Sequence, residues 1–149
     1  VDENHMLIGE FTHTLDTKRR VALPAKFRKE LGKNIVITHG FDKCLFVYPA
    51  AAWRNVLGKL STLSMGKRES RGLNRFLLGG AVETDVDSLG RVLVPEFLKS
   101  FAGLKTRVSV IGVNDRVEIW DERTWRTYKE SIDRKADALA EELGKIGVL

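Results

Sequence analysis

The chain has 149 residues, 43% hydrophobic and 30% charged, with a formal net charge of +5. That length suits one domain, or two very small ones that would each bury little apolar surface. No apolar run approaches the ~18 residues of a membrane span, and a lone Cys44 excludes an intramolecular disulfide and agrees with a reducing cytosol.

Val1 to His5 reads as an expression-tag remnant, because His5-Met6 is a common cloning junction, and Met6 is taken as the native start. The short acidic opening is unlike a signal peptide, so a cytoplasmic protein is expected. Ile8 to Leu15 alternates, with Phe11, His13 and Leu15 on one face of a strand and Glu10, Thr12 and Thr14 on the other. Asp16 to Arg19 is the polar turn of a hairpin. Val21 and Leu23 resume the apolar face while Arg20 and Ala22 point the other way. Pro24 opens a short helix to Leu31, stopped by Gly32.

Asn34 to Thr38 reads as a buried strand, Gly40 to Lys43 as a turn, and Cys44 to Tyr48 as a strand ended by Pro49. Trp53, Val56, Leu57 and Leu60 keep helical spacing. Gly66 starts a basic linking helix closed by Gly79-Gly80. Val82, Thr84 and Val86 form another strand face, and Asp87 to Gly90 another turn. Val92 and Val94 follow, then a helix from Pro95 to Ala102 ended by Gly103. Arg107 to Val113 and Arg116 to Trp120 are strands around Asn114-Asp115. Trp125, Tyr128, Ile132, Ala136, Leu139, Leu143 and Ile146 make a three-four seam on a closing helix. That seam packs on its own core or on another subunit; its spacing is compatible with both.

The plan thus occurs twice. Leu15-Asp16-Thr17-Lys18-Arg19-Arg20-Val21-Ala22-Leu23-Pro24 returns 71 residues later as Val86-Asp87-Ser88-Leu89-Gly90-Arg91-Val92-Leu93-Val94-Pro95. Gly32 matches Gly103; after one inserted residue Gly40 matches Gly112, Tyr48 matches Trp120 and Trp53 matches Trp125. Two repeats are expected, residues 6–77 with the linking helix and 78–149 with the C-terminal helix, sharing one core as a pseudo-dimer. Short hairpins with short helices give an α+β domain built on a small β-barrel.

The charge favours a polyanionic partner, although many proteins without one carry as much. Residues 121–149 hold six basic and seven acidic side chains, which leaves a net +6 on the repeated body. Within it, Asp16 and Arg20, and again Asp87 and Arg91, lie at the two ends of a turn. An Asp–Arg pair there would hold the guanidinium fork at a fixed angle, as bidentate recognition of phosphate or guanine requires. Alternatively the pair only fixes the turn. Lys18 and Arg19 add positive charge at the first tip. Lys67, Arg68, Arg71 and Arg75 place like charges side by side on the linking helix, an arrangement a polyanion relieves. They are candidate phosphate contacts or a solvated face.

An enzyme is not expected. His13, His39 and Cys44 match no zinc spacing, nothing orients a Cys–His nucleophile, and no phosphate-cradling glycine loop occurs. No cofactor, metal or small-molecule substrate is expected.

The duplicated Asp-x-x-x-Arg, each copy followed by apolar-x-apolar-Pro, resembles the MraZ family of bacterial transcriptional regulators. His13-Thr14-Leu15-Asp16, Leu23-Pro24-Ala25-Lys26-Phe27-Arg28, Leu77-Leu78-Gly79 and Glu118-Ile119-Trp120-Asp121 carry the resemblance further. Each half resembles the AbrB-like swapped-hairpin DNA-binding fold. The resemblance implies a ring-shaped homo-oligomer that binds double-stranded DNA. Its sites would be repeats upstream of the division and cell-wall gene cluster, usually for repression, with the protein cytoplasmic and nucleoid-associated. The family's DNA-contacting arginine maps onto Arg20, with Arg91 its counterpart, and Asp16 and Asp87 are their partners. One departure matters: Gly90 precedes the second motif arginine, as is common in the family, but Arg19 precedes the first. A side chain tolerates positive φ poorly, so the first turn is expected to be reshaped or strained. The alternative from a different class is a ring-forming interaction scaffold whose Asp–Arg pairs are structural.

Overall fold

The computed structural model describes residues 6–148, so the expected tag remnant at 1–5 lies outside the described residues. The first half runs β1 (Leu7–Thr14), β2 (Arg20–Ala22), α1 (Ala25–Leu31), β3 (Asn34–His39), β4 (Leu45–Pro49) and α2 (Ala50–Leu60). Helix α3 (Arg68–Gly79) links it to β5 (Val82–Asp85), β6 (Arg91–Leu93), α4 (Glu96–Ala102), β7 (Arg107–Asn114), β8 (Val117–Asp121) and α5 (Glu122–Lys145). This is an α+β fold in which the expected sequence of elements occurs twice.

The strands interleave. Six form one antiparallel sheet in the order β1-β7-β8-β4-β3-β5, and β2 forms its ladder with β6 in a separate ribbon. Each half therefore lends its first strand to the third strand of the other, β1 to β7 and β5 to β3. Two sequence expectations are corrected here. The main sheet is open, with β1 and β5 as its edges, and does not close into a barrel. The strands flanking Asp16 to Arg19 do not zip into a hairpin. A single bridge, Leu15 to Val21, joins them before they part toward different partners.

The core explains the exchange. Leu7, Leu15, Val21, Leu23, Phe27 and Leu31 of the first half pack in one cluster with Val92, Val94, Leu98, Val108, Val110 and Ile119 of the second. Strands of three residues cannot hold a core alone. Val21 and Val92 lie opposite each other in the ribbon, both fully buried, and pin the halves together. A smaller cluster of Cys44, Phe46, Tyr48, Ile111 and Trp120 lies with the inner side chains of α2 and α5, among them Trp53, Val56 and Trp125.

The repeat register also needs one adjustment. Phe11 pairs with Val110, and Val82, 71 residues after Phe11, pairs with Ile37. Val110 is thus the counterpart of Ile37, which makes Gly112 the counterpart of His39 and not of Gly40. Gly112 faces Gly9 across the ladder, and His39 crowds Gly80, the glycine 71 residues after Gly9. In one half a glycine pair admits close backbone approach; in the other an imidazole fills the space.

Candidate nucleic-acid interface

The twin turns are built alike. Asp16 Oδ1 accepts from the backbone N–H groups of Lys18 (2.9 Å) and Arg20 (2.8 Å), and Asp16 Oδ2 accepts from Arg20 Nε at 2.8 Å. Asp87 repeats this with Leu89 (3.0 Å), Arg91 N–H (2.8 Å) and Arg91 Nε (2.7 Å). The chain returns on itself through Asp16 N–H to Arg20 O and Asp87 N–H to Arg91 O, both 3.0 Å. Among the described residues, Nε is the only side-chain atom through which either guanidinium is hydrogen-bonded, and both side chains are partly exposed. Each arginine is held at its base, and its terminal nitrogens have no hydrogen-bond partner among the described residues.

Hydrogen bonds from the Arg20 backbone N–H and side chain hold the Asp16 carboxyl below the usual carboxylate range, and Arg91 does the same for Asp87. A depressed folded-state pKa means that the carboxylate's contribution is fully present above the ordinary aspartate value. It is lost only as pH falls through the lowered one. Both carboxylates are therefore ionised at neutral pH.

Arg19 adopts φ 62° where Gly90 has 77°, so the first turn is not reshaped: the arginine takes the left-handed conformation itself. Its gain is local. Arg19 Nε donates to Val94 O at 3.1 Å, and Glu96 stands 3.6 Å away. At the related place in the other half, Leu23 O accepts from Arg28 Nε at 2.9 Å. A Cβ on Gly90 would stand 2.1 Å from Arg28 Nε. Both carbonyls are thus capped by a guanidinium, one from the turn and one from α1, and Gly90 is small because Arg28 lies over it. The left-handed conformation costs about 1–2 kcal/mol and the hydrogen bond returns about 1 kcal/mol. Arg19→Gly is accordingly expected to change the unfolding free energy by less than about 1 kcal/mol, the relieved strain offsetting the lost cap. Arg19→Ala, which keeps the strain and loses the cap, lowers it by about 1 kcal/mol. Paired urea melts separate the two.

Arg20 and Arg91 meet on one surface. In the ribbon Arg20 lies opposite Leu93 and Ala22 opposite Arg91, so the two arginines stand diagonally on the face away from the core. Lys18 is exposed at the first tip, where the second has exposed Leu89. Helix α3 begins at Arg68, with Lys67 as its N-cap residue. Lys67, Arg68 and Arg75 are exposed, and Arg71 is half-buried with its guanidinium bonded to Met65 O at 3.1 Å. Lys67, Arg68 and Arg71 thus crowd the positive end of a helix dipole, where cations are disfavoured.

The remaining reactive side chains are occupied elsewhere. Cys44 is fully buried and its burial pushes the thiol pKa up, away from nucleophilic thiolate. His39 stacks on Phe76, with Nδ1 2.9 Å from Phe76 O. His13 is half-buried on β1, and burial followed by the charge of Arg28 lowers its pKa. Among the described residues no group of three or more His, Cys, Asp or Glu is arranged to hold a metal ion. Sequence reasoning gave no role to Arg28, Ala22 or Leu93. Ala22 and Leu93 were legible as outward by period two, whereas nothing in the sequence places Arg28 over Gly90.

A model of the family described as "MraZ protein, putative antitoxin-like" matches residues 6–76 and again 77–144. The chain belongs to the MraZ family. A protein of Caldanaerobacter subterraneus subsp. tengcongensis is 46% identical over 143 residues, covering 96% of this chain and all of the relative. One of Thermoanaerobacter sp. (strain X514) is 44% identical and one of Acetivibrio thermocellus 40% identical, with the same coverage. Each relative is named a transcriptional regulator MraZ. The two MraZ matches correspond to the two interleaved halves, and each contains one Asp–Arg turn. Transcription regulation, the role in the relatives' names, is not an enzymatic activity.

Proposed function

We propose that this MraZ-family chain is a sequence-specific DNA-binding transcription regulator that reads bases with the β2–β6 ribbon. The observation that carries the reading is the pair of arginines, each clamped by an aspartate through Nε, on one exposed face of a two-stranded ribbon. An antiparallel ribbon fits the major groove, and a fixed guanidinium is suited to guanine O6 and N7. Lys18 and Arg19 flank the first fork. Lys67, Arg68, Arg71 and Arg75 serve as phosphate contacts, which strengthen binding without reading sequence. The regulated sites are repeats upstream of the division and cell-wall gene cluster, the outcome is repression, and the place of action is the nucleoid in the cytoplasm. These three points rest on the family resemblance.

The partner besides DNA is a second copy of the chain, assembled in a ring. Helix α5 supports this. No residue of α5 is buried; Trp125 and Tyr128 rest against Trp120, while Leu139, Leu143 and Ile146 are 48%, 41% and 73% exposed. The free half carries Glu130, Asp133, Asp137, Glu141 and Glu142 against three basic residues, complementary to the basic body of another copy. An acidic helix is equally unsuited to DNA. Leu139→Ser with Leu143→Ser is expected to shift light-scattering mass toward the monomer while leaving the circular-dichroism spectrum of the fold unchanged.

The function is tested by fluorescence anisotropy on a duplex from upstream of the gene, against a scrambled duplex of equal length at two salt concentrations. Preference for the native duplex, with affinity falling steeply in salt, supports the regulator. Equal binding to both removes base reading. The scaffold alternative is favoured by one feature, the internal satisfaction of both Asp–Arg pairs. It requires that Arg20→Ala break the oligomer, which the same light-scattering measurement reads.

A further inference from the structure

The ribbon presents four side chains away from the core, and two of them are apolar. Val21 and Val92 point inward and are fully buried, so Arg20, Ala22, Arg91 and Leu93 share the outer face. Leu93 is directly opposite Arg20, and Ala22 directly opposite Arg91. Directly opposed side chains have Cβ atoms about 5 Å apart. Leu93 is 47% exposed and is absent from the hydrophobic clusters. The solvated face of an antiparallel ribbon ordinarily carries polar side chains. Here each clamped guanidinium instead has an apolar neighbour across the ladder, in both halves of the repeat.

A phosphate does not explain this arrangement, because a phosphate-contacting face would favour a cation or hydroxyl at these positions. A base edge does. In the major groove guanine offers O6 and N7 to an arginine fork, and the one apolar group on any edge is the thymine C5-methyl. A checkerboard of two forks and two apolar side chains matches guanines beside thymines.

We propose that Leu93 is a specificity-determining residue that packs on the C5-methyl of a thymine next to the base taken by Arg20, with Ala22 its smaller counterpart beside Arg91. The inference rests on the base-reading function above and extends it from guanine recognition to thymine recognition. Leu89, exposed in the turn and outside the ladder, has no such role.

The test uses the full chain and anisotropy on three duplexes: the region upstream of the gene, the same duplex with deoxyuridine for every thymidine, and a scrambled duplex. Deoxyuridine removes only the methyl. Wild type is expected to bind the deoxyuridine duplex roughly fourfold more weakly, the worth of one buried methyl. Leu93→Ala is expected to bind the native duplex more weakly and to keep only a small part of the wild-type difference, the part owed to Ala22, while Leu89→Ala keeps the whole of it. Unchanged melting temperatures show that both variants fold. If wild type prefers the native over the scrambled duplex yet ignores the methyl, or if Leu93→Ala senses it as strongly as wild type, the inference is overturned and base reading survives. If native and scrambled duplexes bind alike, base reading fails, and the thymine contact with it.

Discussion

Arg20→Ala is expected to lose about 1–3 kcal/mol of preference for the native duplex over a scrambled one. The fold and oligomer should remain intact. The guanidinium makes no core contact, and its one side-chain partner, Asp16, keeps its backbone bonds to Lys18 and Arg20 when the side chain is removed. Removal of a base-reading fork differs from removal of a phosphate contact. Loss of a phosphate contact weakens binding to both duplexes equally and lowers the salt dependence by about one ion. Arg75→Ala on α3 is the control for that second behaviour. Asp16→Ala bears on the same point from the other side: the arginine remains but its Nε clamp is gone, so preference should fall more than overall affinity.

The largest expected effect on stability comes from a position without chemistry. Gly112→Ala is expected to cost about 2–3 kcal/mol, which lowers the melting temperature of a chain this size by about 5–10 °C. A Cβ there would stand 2.5 Å from Ile8 N and 2.5 Å from the Leu7 carbonyl carbon, both backbone atoms of the paired strand. Rotation of a side chain cannot relieve that approach; β1 has to move away from β7. Since β1 is an edge strand held only by β7 in the main sheet, its displacement also pulls on the Asp16 turn that follows it. Differential scanning calorimetry reads the loss. Gly32, which has open space around its missing side chain but φ 72°, is a milder comparison whose cost is conformational alone.

Much of this was legible in the residues, for reasons that can be named. Period-two alternation separates Val21 from Arg20 without a structure, and the structure buries the first and partly exposes the second. Pro24 and Pro95 precede helices, and Gly32 and Gly103 end them, as their backbone preferences require. Pairing was harder. Asp16 to Arg19 has turn chemistry, but turn chemistry is local and says nothing of which strand β1 pairs with next. Only the shared core, to which both halves contribute, makes β7 its partner. The Gly40–Gly112 match was misleading for a related reason. Glycines align readily by identity, whereas the ladder is set by inward-facing residues such as Val110 and Ile37. Arg19 illustrates a third limit. Its unfavourable φ is sustained by a carbonyl 75 residues away in sequence, which no local rule anticipates. The end of α5 gave no decision between core and subunit from its seam alone, because a three-four pattern states that a face is apolar and not what covers it.

In the function proposed above, a clamped Arg20 reads a base edge. The most direct measurement is anisotropy of wild type and Arg20→Ala on the native duplex and on one with 7-deazaguanine in place of guanine. That substitution removes the N7 acceptor of a bidentate arginine contact and leaves Watson–Crick pairing in place. Wild type is expected to bind the substituted duplex more weakly, and Arg20→Ala, which keeps only the Arg91 fork, to lose a smaller factor. Equal sensitivity of wild type and Arg20→Ala to the substitution would contradict that role for Arg20.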